Sequence, residues 1–120
     1  MKTYPRSDRI GTRILEEMAD LLVKDIKDPR LEMVTITNVK MSNNLRYARI
    51  YYSLVGDEKK KKGADEGFKR AMGFIKRELA RRLRLRYMPD VEFLYDESFD
   101  YGSRIDSILK ELNVSKEEED

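Results

Sequence analysis

Apolar residues near the start of the chain recur at helical spacing. Ile10, Ile14, Met18, Leu21 and Leu22 fall at three- and four-residue steps, which lines one face of an α-helix. Ser7 or Asp8 is its expected cap. The helix is predicted to run to about Ile26 or Lys27 and to be stopped by Asp28-Pro29-Arg30, because a residue before proline avoids helical angles. The period then drops to two. In MVTITNVKMS (33–42) Val34 and Ile36 share one phase, whereas Val39 and Met41 fall in the other, so one extra residue near Thr37-Asn38 is expected as a β-bulge. Asn43-Asn44 supplies turn chemistry. RYARIYYSLV (46–55) follows, with Ala48, Ile50, Tyr52 and Leu54 on one side and Tyr47, Arg49, Tyr51 and Ser53 on the other. The two segments read as a hairpin with one packed and one wet face.

GDEKKKKG (56–63) has no apolar period and reads as a mobile charged loop. The helical period returns from Ala64 to about Leu85, and Met88-Pro89 ends it. VEFLY (91–95) alternates as a third strand, and Ile105, Ile108, Leu109 and Leu112 mark a last helix from Tyr101 or Gly102 to Leu112. NVSKEEED (113–120) reads as an acidic disordered tail. The order is α-β-β-α-β-α, which gives an α+β class: one domain over 1–112, a three-stranded sheet backed by helices.

Composition removes several kinds of chemistry. The 120 residues include no cysteine and no histidine, so disulfides, zinc–thiolate sites and histidine-based triads are excluded. No metal or cofactor is expected. The N-terminal MKTYPRSDRIGTR lacks the apolar run of a signal peptide, and no apolar stretch reaches membrane-spanning length. A soluble, cytoplasmic, monomeric protein with no membrane partner is the expectation. The net charge of +2 conceals a polarised layout: residues 1–55 carry +3, residues 56–89 carry +7 and residues 90–120 carry −8. The middle third is a candidate surface for a polyanion.

That basic third has a direction. With about 100° per residue, Phe68, Met72, Ile75, Leu79 and Leu83 form the buried stripe of the second long helix, and Arg77, Arg81 and Arg84 fall within about 40° of Arg70 on the opposite side. Glu78 is the sole acidic residue between 67 and 89. A solvated face would account for such a stripe, but the excess of arginine suits bidentate phosphate contacts. Lys69 and Lys76 widen it, and Arg82 and Arg86 flank it. Arg6, Arg9 and Arg13 form a second basic ridge on the first helix. Gly73 falls among the arginines and away from the core. It either relieves crowding there or permits a kink that bares backbone amides to an anion. Lys59 to Lys62 reads as solvated. Tyr47 and Tyr51 would stack on bases if their sheet face is open; helices covering that face would prevent it.

Two motifs fail. YDESFDYGS (95–103) places Asp96, Ser98 and Asp100 as a calcium loop would, but its glycine comes one residue late and Ser107 occupies the glutamate position. The Gly56-to-Gly63 stretch has the wrong spacing for a phosphate-binding loop. The default is a non-enzyme that binds nucleic acid. A magnesium-dependent RNA-processing nuclease using Asp96, Glu97 and Asp100, or a generic DNA-binding or scaffold module, is also compatible with the residues.

The element order, with a helix–kink–helix between the second and third strands, resembles a type II KH domain. Such domains carry GxxG at the helix junction; here Ala71-Met72-Gly73 stands in its place. That replacement resembles the ribosome-binding factor A family of bacterial assembly factors. So do Arg6-Ser7-Asp8-Arg9, Asp28-Pro29-Arg30, VTITNVKMS, ARIYYS and AMGFIKRELARRLRLRYMPDVEFLYDES. The resemblance implies a KH-like domain with an Ala-x-Gly kink. It implies a partner, the free immature small (30S) subunit and its 16S rRNA, and a role in late maturation that includes 5′-end processing. It also implies release by an assembly GTPase. It makes Ala71 and Gly73 the kink, and Arg70, Lys76, Arg77 and Arg81 RNA contacts.

Overall fold

The computed structural model describes residues 5–98. The expected last helix and the acidic tail lie outside them. Helix α1 (Arg6–Lys24) starts directly after Pro5, which serves as N-cap without a side-chain hydrogen bond. The cap expected from Ser7 or Asp8 is thus displaced: Ser7 lies inside the helix and is buried. α1 stops at Lys24, short of the expected end, and Asp28 caps a separate 3₁₀ turn at Pro29–Leu31. Strands β1 (Thr35–Met41) and β2 (Tyr47–Ser53) pair antiparallel, and the register slips between Ile36 and Asn38, where the change of apolar phase requires a bulge. The bulge residue Thr37 donates its hydroxyl to Asp96 at 2.6 Å, beyond the end of the third strand.

Helix α2 (Glu58–Leu83) corrects the expected loop over the lysine run and joins the helix–kink–helix segment into one element. The lysine run is not a loop: Asp57 accepts from the Lys60 amide at 3.0 Å, and the helix begins at once. Lysine and glutamate are good helix formers once a cap satisfies the first amides, although their polarity hides any period. The helix also continues without interruption through Ala71-Met72-Gly73. No second helix begins there, so no new set of free amide donors appears. Helical hydrogen bonding survives a glycine whose neighbours Met72, Phe74 and Ile75 all pack on the core.

α2 carries the chain from β2 to β3 (Asp90–Tyr95), which joins the sheet parallel to β2 in the order β1-β2-β3. A parallel neighbour requires such a crossover. The core lies between the helices and one face of the sheet. Ile14, Met18 and Leu21 of α1 meet Ala48, Ile50 and Tyr52 of β2 and Phe68, Ile75 and Leu79 of α2. The Phe68 ring stacks on Phe93 of β3, centroids 4.1 Å apart. Fully burying each such side chain contributes about 1.5–3 kcal/mol.

Two helical glycines allow the layers to approach. A Cβ on Gly67 would lie 3.1 Å from the Leu31 side chain, and one on Gly11 would lie 3.4 Å from the Val39 carbonyl oxygen. Among the described residues, no helix is long and apolar enough to cross a membrane.

Candidate nucleic-acid interface

Burying Phe68, Ile75, Leu79 and Leu83 turns the opposite side of α2 outward. Arg70, Arg77, Arg81 and Arg84 are all exposed there. Arg70, Arg77 and Arg84 have no ion-pair partner among the described residues. Arg81 is held by Glu78 at 2.7 Å in its own helix, which also draws the Glu78 carboxyl below its ordinary value. Lys76 lies 4.0 Å from Asp90, and Lys69 pairs with Asp65. Gly73 is exposed among the arginines: a Cβ there would meet only the far end of Arg77, at 3.4 Å. Ala71 takes the other shoulder of the helix, half-buried against the core.

Arg82 does not belong to this face. Its guanidinium turns toward α1 and donates to Glu17 at 2.9 Å, Asp20 at 2.8 Å and Asp25 at 2.8 Å, with Glu78 at 3.6 Å. Hydrogen bonds to Asp20 and Glu17 raise its pKa further above an already high value. Lys24, and then Arg82, hold the Asp20 carboxyl below its usual range. The sequence run places Arg82 at the margin of the basic patch; the acidic side of α1 makes it the pin between the two helices.

The two basic ridges meet. Arg6, Arg9 and Arg13 of α1 line one groove of about 430 Å³ together with Arg84 and Arg86. Arg84 caps α2 in the left-handed conformation, φ 52° and ψ 42°. Glycine is the usual residue there, and a side chain costs about 1–2 kcal/mol. Five arginines from two helix ends thus line one groove, a grouping that distant sequence segments do not announce.

The other expected contacts are dispersed. Tyr47 is 57% exposed on the sheet face turned from the core, and Tyr51 is half-buried with the Lys40 ammonium 5.5 Å from its ring centre. In the lysine run, Lys59, Lys60 and Lys62 are exposed, while Lys61 lies 4.3 Å over the Tyr95 ring. Asp28-Pro29-Arg30 is a clamp: Arg30 donates to both carboxylate oxygens of Asp28 at 3.1 and 2.8 Å, which lowers the Asp28 pKa. Of the acidic trio weighed for magnesium, Asp96 accepts from Thr37 and from the amide and hydroxyl of Ser98, so it organises the turn after β3. Asp100 lies outside the described residues.

An antiparallel hairpin, a helical crossover and a parallel third strand, with the basic face on the crossover helix, define a KH-like α+β domain. The sequence profile of ribosome-binding factor A matches residues 6–109. The chain belongs to the ribosome-binding factor A family. It is 55% identical to ribosome-binding factor A of Desulfatibacillum aliphaticivorans over 112 residues, 93% of this chain and 91% of that one. It resembles the crystal structure of ribosome-binding factor A from Thermus thermophilus with a TM-score of 0.65 at 27% identity, covering 74% of this chain and 94% of that one. It also resembles coordinates of the Thermus thermophilus factor fitted into a cryo-electron-microscopy map of its 30S complex. There the TM-score is 0.55 at 28% identity, covering 71% of this chain and 93% of that one.

Proposed function

We propose that this protein is a non-catalytic, cytoplasmic assembly factor, acting as a monomer, that binds the free immature small ribosomal subunit. It contacts 16S rRNA through the exposed arginine face of α2 and the arginine groove beside it, and supports late maturation, including processing of the 5′ end. The observation that carries this reading is the set of exposed guanidinium groups Arg70, Arg77 and Arg84 on a KH-like helix, none of which has an ion-pair partner among the described residues. Family membership and the 30S complex of the Thermus thermophilus factor support the choice of partner. The work is done by binding energy: arginines fix the sugar–phosphate chain in one conformation and no covalent bond changes. Release by an assembly GTPase completes the proposed cycle.

Gradient co-sedimentation with free small subunits and with joined ribosomes tests the reading. The wild type is expected with free small subunits, and Arg77→Glu with Arg81→Glu is expected at the top of the gradient while its circular dichroism stays unchanged. Undiminished co-sedimentation of the folded double variant would refute the assignment.

A further inference from the structure

A second cleft adjoins the arginine groove. It lies between the start of α1, the β1–β2 turn and the segment linking α2 to β3, and encloses about 540 Å³. That volume lies within the range of sites for small ligands. Ile10, Met41, Leu85 and Pro89 provide an apolar floor. Among the described residues its charged rim is cationic, made by Arg6, Arg46 and Arg86 without a carboxylate. Tyr87, 78% exposed, stands at the edge with Arg86 5.5 Å from its ring centre.

The turn that closes one side is held firmly. The Asn44 side-chain oxygen accepts from the Ser42 hydroxyl at 2.7 Å and the Arg46 amide at 3.1 Å, and the Ser42 hydroxyl accepts from the Tyr47 amide at 3.0 Å. These bonds keep Leu45 at φ 62°, a left-handed conformation that leucine rarely adopts. The half-buried Leu45 and the exposed Asn44 thereby form one wall of the cleft. The two non-glycine residues with positive φ among those described, Leu45 and Arg84, line this cleft and the neighbouring groove respectively. Sparsely populated backbone of this kind is retained where the surroundings over-determine it.

An apolar recess with a cationic rim, opening beside a groove of five arginines, matches a nucleotide more closely than a peptide or a flat duplex surface. We infer that the cleft is a seat for one unstacked base of single-stranded RNA, an inference that rests on the RNA-binding reading above. The base occupies the apolar floor and stacks against Tyr87. Its flanking phosphates lie on Arg46 on one side and on Arg86, where the cleft meets the arginine groove, on the other. Bases inside an A-form helix are not available to such a recess, whereas splayed bases of loops and ends are. The cleft would therefore give the protein a preference for unpaired RNA that the α2 stripe, a contact for backbone alone, does not supply.

The test is equilibrium binding of the full chain to a short single-stranded oligoribonucleotide and to an RNA duplex of equal length, at one salt concentration. Arg46→Ala is expected to weaken single-strand binding by about 5-fold or more while changing duplex binding less than about 3-fold. Tyr87→Ala is expected to weaken single-strand binding by about 5-fold or more, and Tyr87→Phe to restore it. Arg70→Ala with Arg77→Ala, the comparison pair on α2, is expected to weaken both ligands alike. Equal losses on strand and duplex for the cleft variants, or no loss on either, overturn the seat and leave the α2 interface intact. A wild-type chain that binds neither RNA nor small subunits would defeat the RNA-binding reading, and the seat with it.

Discussion

Arg77 and Arg82 lie five residues apart on one helix, yet they end in opposite electrostatic circumstances. Arg82 is surrounded by Glu17, Asp20, Asp25 and Glu78. Arg77 is exposed with no ion-pair partner among the described residues. The same helix repeats the lesson with glycine. Gly67 is buried against Leu31, whereas Gly73 is open apart from the mobile end of Arg77. In both pairs the residue type is identical and the neighbouring element decides the role. A basic stretch therefore reveals its free charges only after the charges spent inside the fold are subtracted.

Breaking the pinned arginine should have the largest effect on stability. Arg82→Ala leaves the carboxylates of α1 facing each other without a cation and is expected to lower Tm by about 4–8 °C in a thermal melt. Arg77→Ala should leave Tm nearly unchanged. It should instead reduce the slope of log affinity against log salt for RNA by about 1. Equal Tm losses for the two variants would erase the distinction between them.

The glycines sharpen the contrast at smaller magnitude. Gly67→Ala gains about 0.5–1 kcal/mol of helix propensity but forces a methyl against the buried Leu31, and such overpacking costs about 1–3 kcal/mol. A net loss near 1 kcal/mol in denaturant unfolding is expected. Gly73→Ala meets no such obstacle and should gain about 0.5–1 kcal/mol, while weakening RNA binding by covering exposed backbone. A loss of stability at position 73 would show that this glycine, too, serves packing.

The smallest effect is the response to pH. Asp20, Asp28 and Glu78 have folded pKa values below their ordinary ones, held there chiefly by Lys24, Arg30 and Arg81 respectively. Their contribution to stability is present above the unfolded carboxylate values, about pH 4, and disappears as pH falls through the lower folded values. With no histidine in the chain, Tm should be flat between about pH 5 and 7. It should decline below about pH 4, less steeply in Arg82→Ala because that cation also depresses Asp20 and Glu78.

Much of the fold is legible in the apolar period. The change of phase across Thr37-Asn38 locates the bulge, and the stripe from Phe68 to Leu83 fixes which side of α2 is buried. The start of α2 was hidden because Glu58 to Lys62 carry no apolar period, and only the Asp57 cap marks it. The parallel pairing of β3 follows from a crossover that local pattern does not specify. Within the candidate interface, exposure of the α2 arginines is legible from helical geometry. The internal role of Arg82 depends on contacts 57 to 65 residues away, as the junction of Arg6, Arg9 and Arg13 with Arg84 depends on how two helix ends meet.

The uninterrupted course of α2 also sets a fixed scale. At about 1.5 Å of rise per residue, the eleven steps from Arg70 to Arg81 hold the backbones of those two residues roughly 16 Å apart along the helix axis. Whatever chain of phosphates lies across them must adjust its own spacing to that ruler, so the work of reshaping falls on the flexible polymer and the protein remains the gauge.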